Sequence, residues 1–258
     1  GSELLSGSKH FYDDLGNEIG SAEFMNGELD KAHCTSFQFS KSETEVTGEE
    51  DEAQTITTGY EKEINPSSYT EEVDPANFYD QFNDSVLSET ITKTVTDAEG
   101  STLSQTTSYL RGKNKTETVT TYENDDFGRT IKENTIQKKY QDGRWLPSYE
   151  TEVSYTYDEN GNVTETETKS RKEGETDWQT QKTKAVYDSK GQVTKEYSPR
   201  GVKENVAAAY TYDLLGRKIK EELPQNKTDG SAGYQTVVNE YDTVSYTHLR
   251  AHETEADL

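Results

Sequence analysis

The 258-residue sequence predicts an all-β fold, an array of antiparallel β-hairpin repeats, and three observations carry that prediction. First, a short motif recurs with one spacing. Its copies are Tyr155-Thr-Tyr157-Asp158-Glu-Asn-Gly161, Tyr210-Thr-Tyr212-Asp213-Leu-Leu-Gly216, Ala185-Val-Tyr187-Asp188-Ser-Lys-Gly191 and a looser Tyr122-Glu-Asn124-Asp125-Asp-Phe-Gly128. Second, the flanks alternate at period two, the signature of a strand with one apolar face. Val153, Tyr155 and Tyr157 fall on one face and Glu152, Ser154, Thr156 and Asp158 on the other, and Val206, Ala208, Tyr210 and Tyr212 repeat the arrangement. Third, the composition suits thin, polar β-structure. Leu, Ile, Val and Phe supply only 41 residues and the net charge is −23, a combination typical of disorder. Seventeen tyrosines and a motif of fixed geometry oppose disorder.

The motif reads as a turn. An Asp at the first position of a type I turn accepts hydrogen bonds from the amides that follow it. A Gly three residues on takes positive φ without a Cβ clash and closes the hairpin with a bulge. After the turn, Val163-Thr-Glu-Thr-Glu-Thr-Lys169 alternates again, and Thr, Val and Tyr suit a half-buried pleated surface. Each unit is therefore strand, Asp-x-x-Gly turn, strand and a longer variable connection. One hairpin cannot bury its apolar side alone, so stability is expected to grow with the number of repeats and an isolated array to be marginal.

Taken in order, residues 1–89 read as a degenerate repeat or upstream β region. Phe11-Tyr12-Asp13-Asp-Leu-Gly16 keeps the turn spacing. Phe37 and Phe39, then Thr44 and Val46, alternate ahead of Gly48 and the acidic Glu49–Glu52 cluster, a hairpin tip before Ile56 and Tyr60. The tip reads as solvated, with cation binding the lesser alternative. Pro66 and Pro75 mark an irregular linker over 65–83, in which Phe78-Tyr79-Asp80 is a degenerate motif with Asn83 in place of Gly. Residues 90–243 hold the clear repeats: Asp97/Gly100, Asp125/Gly128, Asp158/Gly161, Asp188/Gly191, Asp213/Gly216 and a last Asp242. Successive aspartates lie 25 to 33 residues apart, a spread natural for hairpins with loops of unequal length. Gln141-Asp-Gly-Arg-Trp145 and Gly174-Glu-Thr-Asp-Trp178 are expected at the opposite hairpin ends, with each Trp beside its turn.

These residues resemble the YD-repeat, or Rhs-repeat, family, whose pattern is Tyr-x-Tyr-Asp-x-x-Gly-Arg followed by an apolar residue. Tyr210, Tyr212, Asp213, Gly216, Arg217 and Ile219 match it fully, Tyr155–Val163 nearly so, and Asn162 and Gln192 replace the Arg in their copies. The resemblance covers about residue 90 to Asp242. It implies that the hairpins form part of a spiral β-shell of a bacterial secreted or cell-wall-associated polymorphic toxin. It also implies that the shell encloses the protein's own C-terminal toxin domain, with cell-wall carbohydrate as a further partner. The family's shell-closing segment and its catalytic aspartates have no counterpart here, so the repeat aspartates take the turn role and no protease role. On this reading Tyr122, Asp125, Gly128, Tyr155, Tyr157, Asp158, Gly161, Tyr187, Asp188, Gly191, Tyr210, Tyr212, Asp213, Gly216 and Arg217 are structural motif residues.

Residues 244–258 break the pattern. Ser245 stands where the repeat after Asp242 expects Gly. Residues 244–254 resemble one reading frame of transposase-based sequencing-adapter DNA, so a non-native tail on a fragment is expected. The competing reading is a natural helix pairing His248 with His252 as metal ligands.

Other function classes find little support. So acidic a chain repels nucleic-acid backbones. No apolar run is long enough to span a bilayer. Cys34 is alone, and His10, His33 and Cys34 lack metal-site spacing. Asp158-Glu-Asn160-Gly161 lacks the remaining ligands of a calcium loop. The sequons at Asn114 and Asn226 are those expected by chance in a Thr-rich chain. No nucleophile–base pair or phosphate-binding loop is present, so no enzyme, cofactor or metal is expected. The alternative function is an adhesin-like surface module holding carbohydrate or protein through exposed Tyr, Trp145 and Trp178.

Overall fold

The computed structural model describes residues 6–49, 52–70, 72–226, 232–241 and 251–253. Asp242, most of the expected non-native tail including His248, the side chain of His252, and part of the Asn226 sequon and of the 49–52 tip lie outside them. The protein is all-β and antiparallel, and it divides into two units inside one strand. The division falls near residue 151, whereas the repeat pattern sharpens near residue 90. Within each unit strand order is chain order, the outcome when short turns join successive antiparallel strands.

The first unit holds β1 (Ser6–Tyr12), β2 (Glu18–Met25), β3 (Cys34–Thr47), β4 (Gln54–Ile64), β5 (Val86–Thr96), β6 (Thr102–Arg111), β7 (Asn114–Asn124), β8 (Thr130–Gln141) and the first part of β9 (Arg144–Tyr157). The 65–83 stretch is not a strand pair. It forms a 3-10 turn over Pro66–Ser68, a helical turn α1 (Phe78–Gln81) and a second 3-10 turn over Asn83–Ser85. The Phe78-Tyr79-Asp80 echo of the motif thus lies in a helix and makes no hairpin.

That stretch covers a core. Phe11, Ile19, Phe24, Phe37, Phe39 and Ile64 are buried on one sheet face, and Tyr69 and Tyr79 close over them. The rings meet edge-on, with Phe37 5.0 Å from Phe82 and 5.5 Å from Tyr69, while Phe39 stacks on Phe82 at 5.6 Å. Lys62, 6% exposed, is the one buried charged residue among those described. Its Nζ donates to the Tyr79 carbonyl at 3.1 Å and to Asn83 Oδ1 at 2.6 Å, and sits 3.8 Å from the Tyr79 ring centroid. Glu89 and Asp80 lie 3.6 and 3.8 Å from it. The amine therefore ties the covering segment to the sheet.

Further along this unit the two faces differ in chemistry. The face that carries Phe37 and Phe39 continues with Tyr60, Ile91, Val119 and Ile136 among charged pairs such as Glu117–Lys138 at 2.8 Å. On the opposite face the register aligns Ser42, Gly59, Thr92, Thr107, Thr118 and Gln137 in one row across β3–β8.

The second unit comprises the rest of β9, then β10 (Val163–Lys172), β11 (Gln179–Tyr187), β12 (Val193–Tyr197), β13 (Ala208–Tyr212), β14 (Lys218–Asn226), β15 (Ala232–Asn239) and β16 (Ala251–Glu253). Between β12 and β13 a short helix α2 (Pro199–Glu204) starts from the Ser198 cap and ends at Asn205 in the left-handed region. Gly201 is the only buried residue among those described in this unit. Charge pairing across strands takes the place of a core. Lys169 bridges Glu152 and Glu167, Lys182 bridges Glu165 and Glu167, and Lys184 reaches Glu165, all within 2.6–3.3 Å. These are the charged members of the alternating Val163–Lys169 stretch, set opposite lysines by the register Glu165↔Lys184 and Glu167↔Lys182. Among the described residues no helix is long and apolar enough to cross a membrane.

Candidate functional site: the stacked Asp-x-x-Gly turns

Each copy of the motif builds the same loop. The amide of the Gly donates to the carbonyl of the Asp three residues earlier at 2.9–3.1 Å. The Asp amide donates to the carbonyl of the residue after the Gly. Both bonds recur at Asp13, Asp97, Asp125, Asp158, Asp188 and Asp213. Every Gly in these turns has φ between +74° and +88°. In the five hairpins whose register is described, the ladder shifts at the residue before the Asp, and the extra residue (Ile19, Leu103, Ile131, Thr194 or Ile219) lies on the following strand, so a bulge follows each turn. The Asp carboxylate fastens the loop. Asp158 Oδ1 accepts from the amides of Asn160 and Asn162 at 2.9 Å, and Asp13, Asp125, Asp188 and Asp213 accept from the equivalent pairs.

The residue after the Gly decides whether the carboxylate is clasped twice. Arg129 Nε donates to Asp125 Oδ2 at 2.8 Å and Arg217 Nε to Asp213 Oδ2 at 2.7 Å. Asn162 and Asn17 do the same through Nδ2, at 3.0 and 2.9 Å. Replacement of the Arg by Asn thus preserves the clasp. Gln192 does not return to Asp188; its Nε2 donates to the Gly216 carbonyl of the neighbouring turn at 3.1 Å. These bonds hold four of the carboxyls below the usual carboxylate range. The leading cause is the Asn17 side chain for Asp13, the Arg129 side chain for Asp125, the Asn162 side chain for Asp158 and the Arg217 amide for Asp213.

A second contact joins four of the repeats to the one before, through the residue immediately preceding the Asp. Tyr187 donates its hydroxyl to the Val163 carbonyl at 2.9 Å, Tyr212 to Val193 at 2.8 Å and Tyr241 to Lys218 at 2.9 Å. In the first unit Asn124 takes this role, donating Nδ2 to the Thr102 carbonyl at 3.0 Å. Each acceptor lies two residues past the Gly of the preceding repeat. The inner Tyr of Tyr-x-Tyr-Asp is therefore an inter-repeat latch, a role that its placement on an apolar face does not announce. Tyr157 holds the equivalent position in its copy.

The outer Tyr stays on the sheet. Tyr210 donates to Glu196 at 3.1 Å under the Lys218 amine, 4.2 Å from its ring. Tyr122 pairs in register with Glu133 and, like Tyr155, is half-buried; burial raises the Tyr122 phenol. Arg217 adds a third contact, its guanidinium 4.7 Å from the Tyr241 ring. Neighbouring turns also touch at the glycines. A Cβ on Gly216 would sit 2.8 Å from Gln192 Nε2, and one on Gly128 3.3 Å from Ser101 Oγ.

The other candidates are engaged in local contacts. Trp145, 37% exposed, meets Tyr140 edge-on at 5.3 Å, beside a two-residue turn in which Asp142 and Gly143 both have positive φ. Trp178, 38% exposed, carries the Arg171 guanidinium 4.6 Å from its ring. His10 pairs with Glu18 at 2.7 Å, and the half-buried Cys34 thiol, pushed up by burial, donates to the Ser36 carbonyl. His33 lies 2.8 Å from Asp30 and 3.3 Å from Glu28, and its hydrogen bond to Asp30 raises its pKa. Those three side chains offer ligand atoms within 4.8 Å of one another, on a loop where the hydrogen bond between His33 and Asp30 already accounts for their approach.

No family model and no curated protein matches the chain. Among solved structures, a crystal structure of TcdB2-TccC3-TEV aligns with 92% of the chain at 14% identity and a TM-score of 0.28. The Photorhabdus luminescens Tc holotoxin pore with a mutated TccC3 aligns with 93% at 10% identity and a TM-score of 0.16. The chain spans 14% and 18% of those two chains, and neither superposition is close enough to define a shared fold.

Proposed function

We propose that this chain is a non-enzymatic wall segment of the YD/Rhs-repeat type, from a bacterial secreted or cell-wall-associated protein whose hairpins enclose a C-terminal toxin domain. The observation that carries the reading is the coupling of neighbouring repeats. The Asp and Gly of each described copy serve its own turn, and Asn124, Tyr187, Tyr212 and Tyr241 each donate to a carbonyl of the preceding repeat. Residues tied up in such bonds suit a continuous wall. The chemistry of any enclosed domain belongs to residues beyond those described.

The test is protease protection in the parent open reading frame carried through to its own stop. The downstream domain is expected to resist digestion in the unmodified protein and to become sensitive when Gly161→Val and Gly216→Val open two turns. Equal digestion rates in both proteins would overturn encapsulation. Reproducible hydrolase activity from residues 1–258 alone would overturn the non-enzymatic role.

A further inference from the structure

Two hairpin ends opposite the Asp-x-x-Gly turns carry charge opposite in sign to the chain as a whole. Residues 111–116 and 137–146 hold Arg111, Lys113, Lys115, Lys138, Lys139 and Arg144 against a single carboxylate, Asp142. Six cations less one anion leave a local balance of +5 in a protein of net charge −23. The fold gathers them. Gly112 and Lys113 join β6 to β7, and Asp142 and Gly143 join β8 to β9, so both tips lie on one edge of the first unit. The register Thr116↔Lys139 sets the tips side by side, and Lys115 Nζ stands 5.6 Å from the Tyr140 ring centroid. Tyr140 in turn meets Trp145 at 5.3 Å. Every residue of 111–116 and 140–145 is exposed.

Asp and Glu number 50 against 27 Lys and Arg, so a carboxylate partner is easily found in this chain. Lys138 takes Glu117 at 2.8 Å and Lys139 takes Glu173 at 2.6 Å. Among the described residues Arg111, Lys113, Lys115 and Arg144 have no carboxylate within ion-pair distance. A protein this acidic needs no further charge for solubility, so four unpaired cations around two exposed rings point to an anionic partner. Distance separates the tips from much of the acidic remainder. Strands β6–β9 are 10 to 14 residues long. They span about 33–46 Å at roughly 3.3 Å per residue, whereas charges are screened over about 8 Å at physiological salt. The Asp-x-x-Gly edge therefore exerts little field here. The acidic 65–85 segment shares the basic edge but returns to the sheet at β5, which bounds the basic tips on that side.

We propose that the β6–β7 and β8–β9 tips dock this protein on a membrane surface rich in anionic phospholipid. The unpaired Arg and Lys side chains meet lipid phosphates, each contributing about a fivefold gain in affinity near the surface. Trp145 and Tyr140 supply amphipathic rings of the kind that settle at the headgroup level. The contact is peripheral, with the tips on the surface and no strand crossing it. Lipid is favoured over nucleic acid because its anions are separate and mobile. A nucleic-acid strand that engaged both tips would continue along the acidic flanks. Lipid headgroups can gather as anions beneath the tips and leave the flanks to neutral lipid. An acidic protein segment would gain only solvent-exposed ion pairs and would find no pocket for an anchor. The inference is independent of the encapsulation reading.

The test is flotation of the full chain with vesicles of equimolar phosphatidylglycerol and phosphatidylcholine, beside vesicles of phosphatidylcholine alone. The unmodified chain is expected to float with the anionic vesicles at about 0.1 M salt, to be released at about 0.5 M, and not to float with the neutral ones. Arg111→Gln, Lys113→Gln, Lys115→Gln and Arg144→Gln should each weaken binding about fivefold. Their combination should abolish it with unchanged circular dichroism. Lys182→Gln with Lys184→Gln removes the same kind of charge from paired positions in the second unit and should leave binding intact. In a Trp178→Phe background the emission of Trp145 should shift to the blue on the anionic vesicles. No flotation of the unmodified chain, equal flotation with neutral vesicles, or full retention by the fourfold variant would overturn the proposal. So would a gel shift of duplex DNA at chain concentrations that leave the vesicles unbound, which would assign the tips to nucleic acid.

Discussion

At the scale of single residues, the repeated Asp and Gly make separable demands on the chain. Gly100 has φ +88° and open space where a Cβ would stand, whereas Gly216 has φ +80° and the Gln192 amide 2.8 Å from that point. Asn tolerates the left-handed region and β-branched residues do not. Gly100→Asn is therefore expected to leave the urea midpoint almost unchanged, and Gly216→Val to cost about 1–3 kcal/mol; equal effects would mean that backbone strain alone sets the requirement. The carboxylates make a pH prediction. Asp13, Asp125, Asp158 and Asp213 titrate below their ordinary value in the folded protein. A depressed folded pKa contributes stability above the unfolded value, about 3.9, and loses it as pH falls through the folded value. The contribution of these four carboxylates should thus be level from about pH 5 upward and decline below about pH 4. Asp158→Asn with Asp213→Asn should lower the plateau and flatten the decline, as read by urea unfolding at a series of pH values.

Between elements, two devices do what the local motif cannot. The inner Tyr latch couples neighbouring hairpins, so Tyr187→Phe and Tyr212→Phe should each cost about 0.5–1.5 kcal/mol. Hydrogen exchange should accelerate on both sides of the broken bond, near Val163 or Val193, instead of in one hairpin alone. The second device is Lys62, which holds the 65–85 segment by its amine. Lys62→Ala leaves the Tyr79 carbonyl and Asn83 Oδ1 without that donor inside a covered site, a loss of about 1–3 kcal/mol. Limited proteolysis should then cut first between residues 65 and 85, and a cleavage pattern identical to the unmodified protein's would rule out the tethering role. The contrast between these devices and the turns explains what sequence could and could not reveal. Asp-x-x-Gly is legible because all its bonds close within five residues, so spacing alone encodes it. The latch joins positions 19 to 24 residues apart and depends on register, which alternation of residue types does not specify. Lys62 lies in a run of Glu, Lys and Glu that reads as a solvated face, and only the return of residues 65–85 over the sheet buries it. The same return turns two prolines and a failed repeat into the cover of the aromatic core.

At the scale of the whole molecule, the two units rest on different physics. The first buries Phe24, Phe37, Phe39 and Ile64 almost completely, and each fully buried side chain of this kind contributes about 1.5–3 kcal/mol. The second, in its described residues, buries only Gly201 and relies on half-exposed Thr, Tyr and cross-strand Lys–Glu pairs. Exposed ion pairs contribute about 0–1 kcal/mol and are screened by salt, so the second unit draws its order mainly from ladder hydrogen bonds and the Tyr latches. Repeat proteins distribute stability along the chain in this way, each hairpin leaning on its neighbours. Hydrogen exchange should consequently show β2–β4 as the most protected strands and β10–β15 opening at lower free energy, with protection in β10–β12 falling further as salt is raised and the Lys182 and Lys184 pairs are screened. A single cooperative transition with equal protection in β3 and β11 would contradict this division. It would mean that the latches alone, without an apolar core, stabilise the second unit as strongly as the buried aromatic rings stabilise the first.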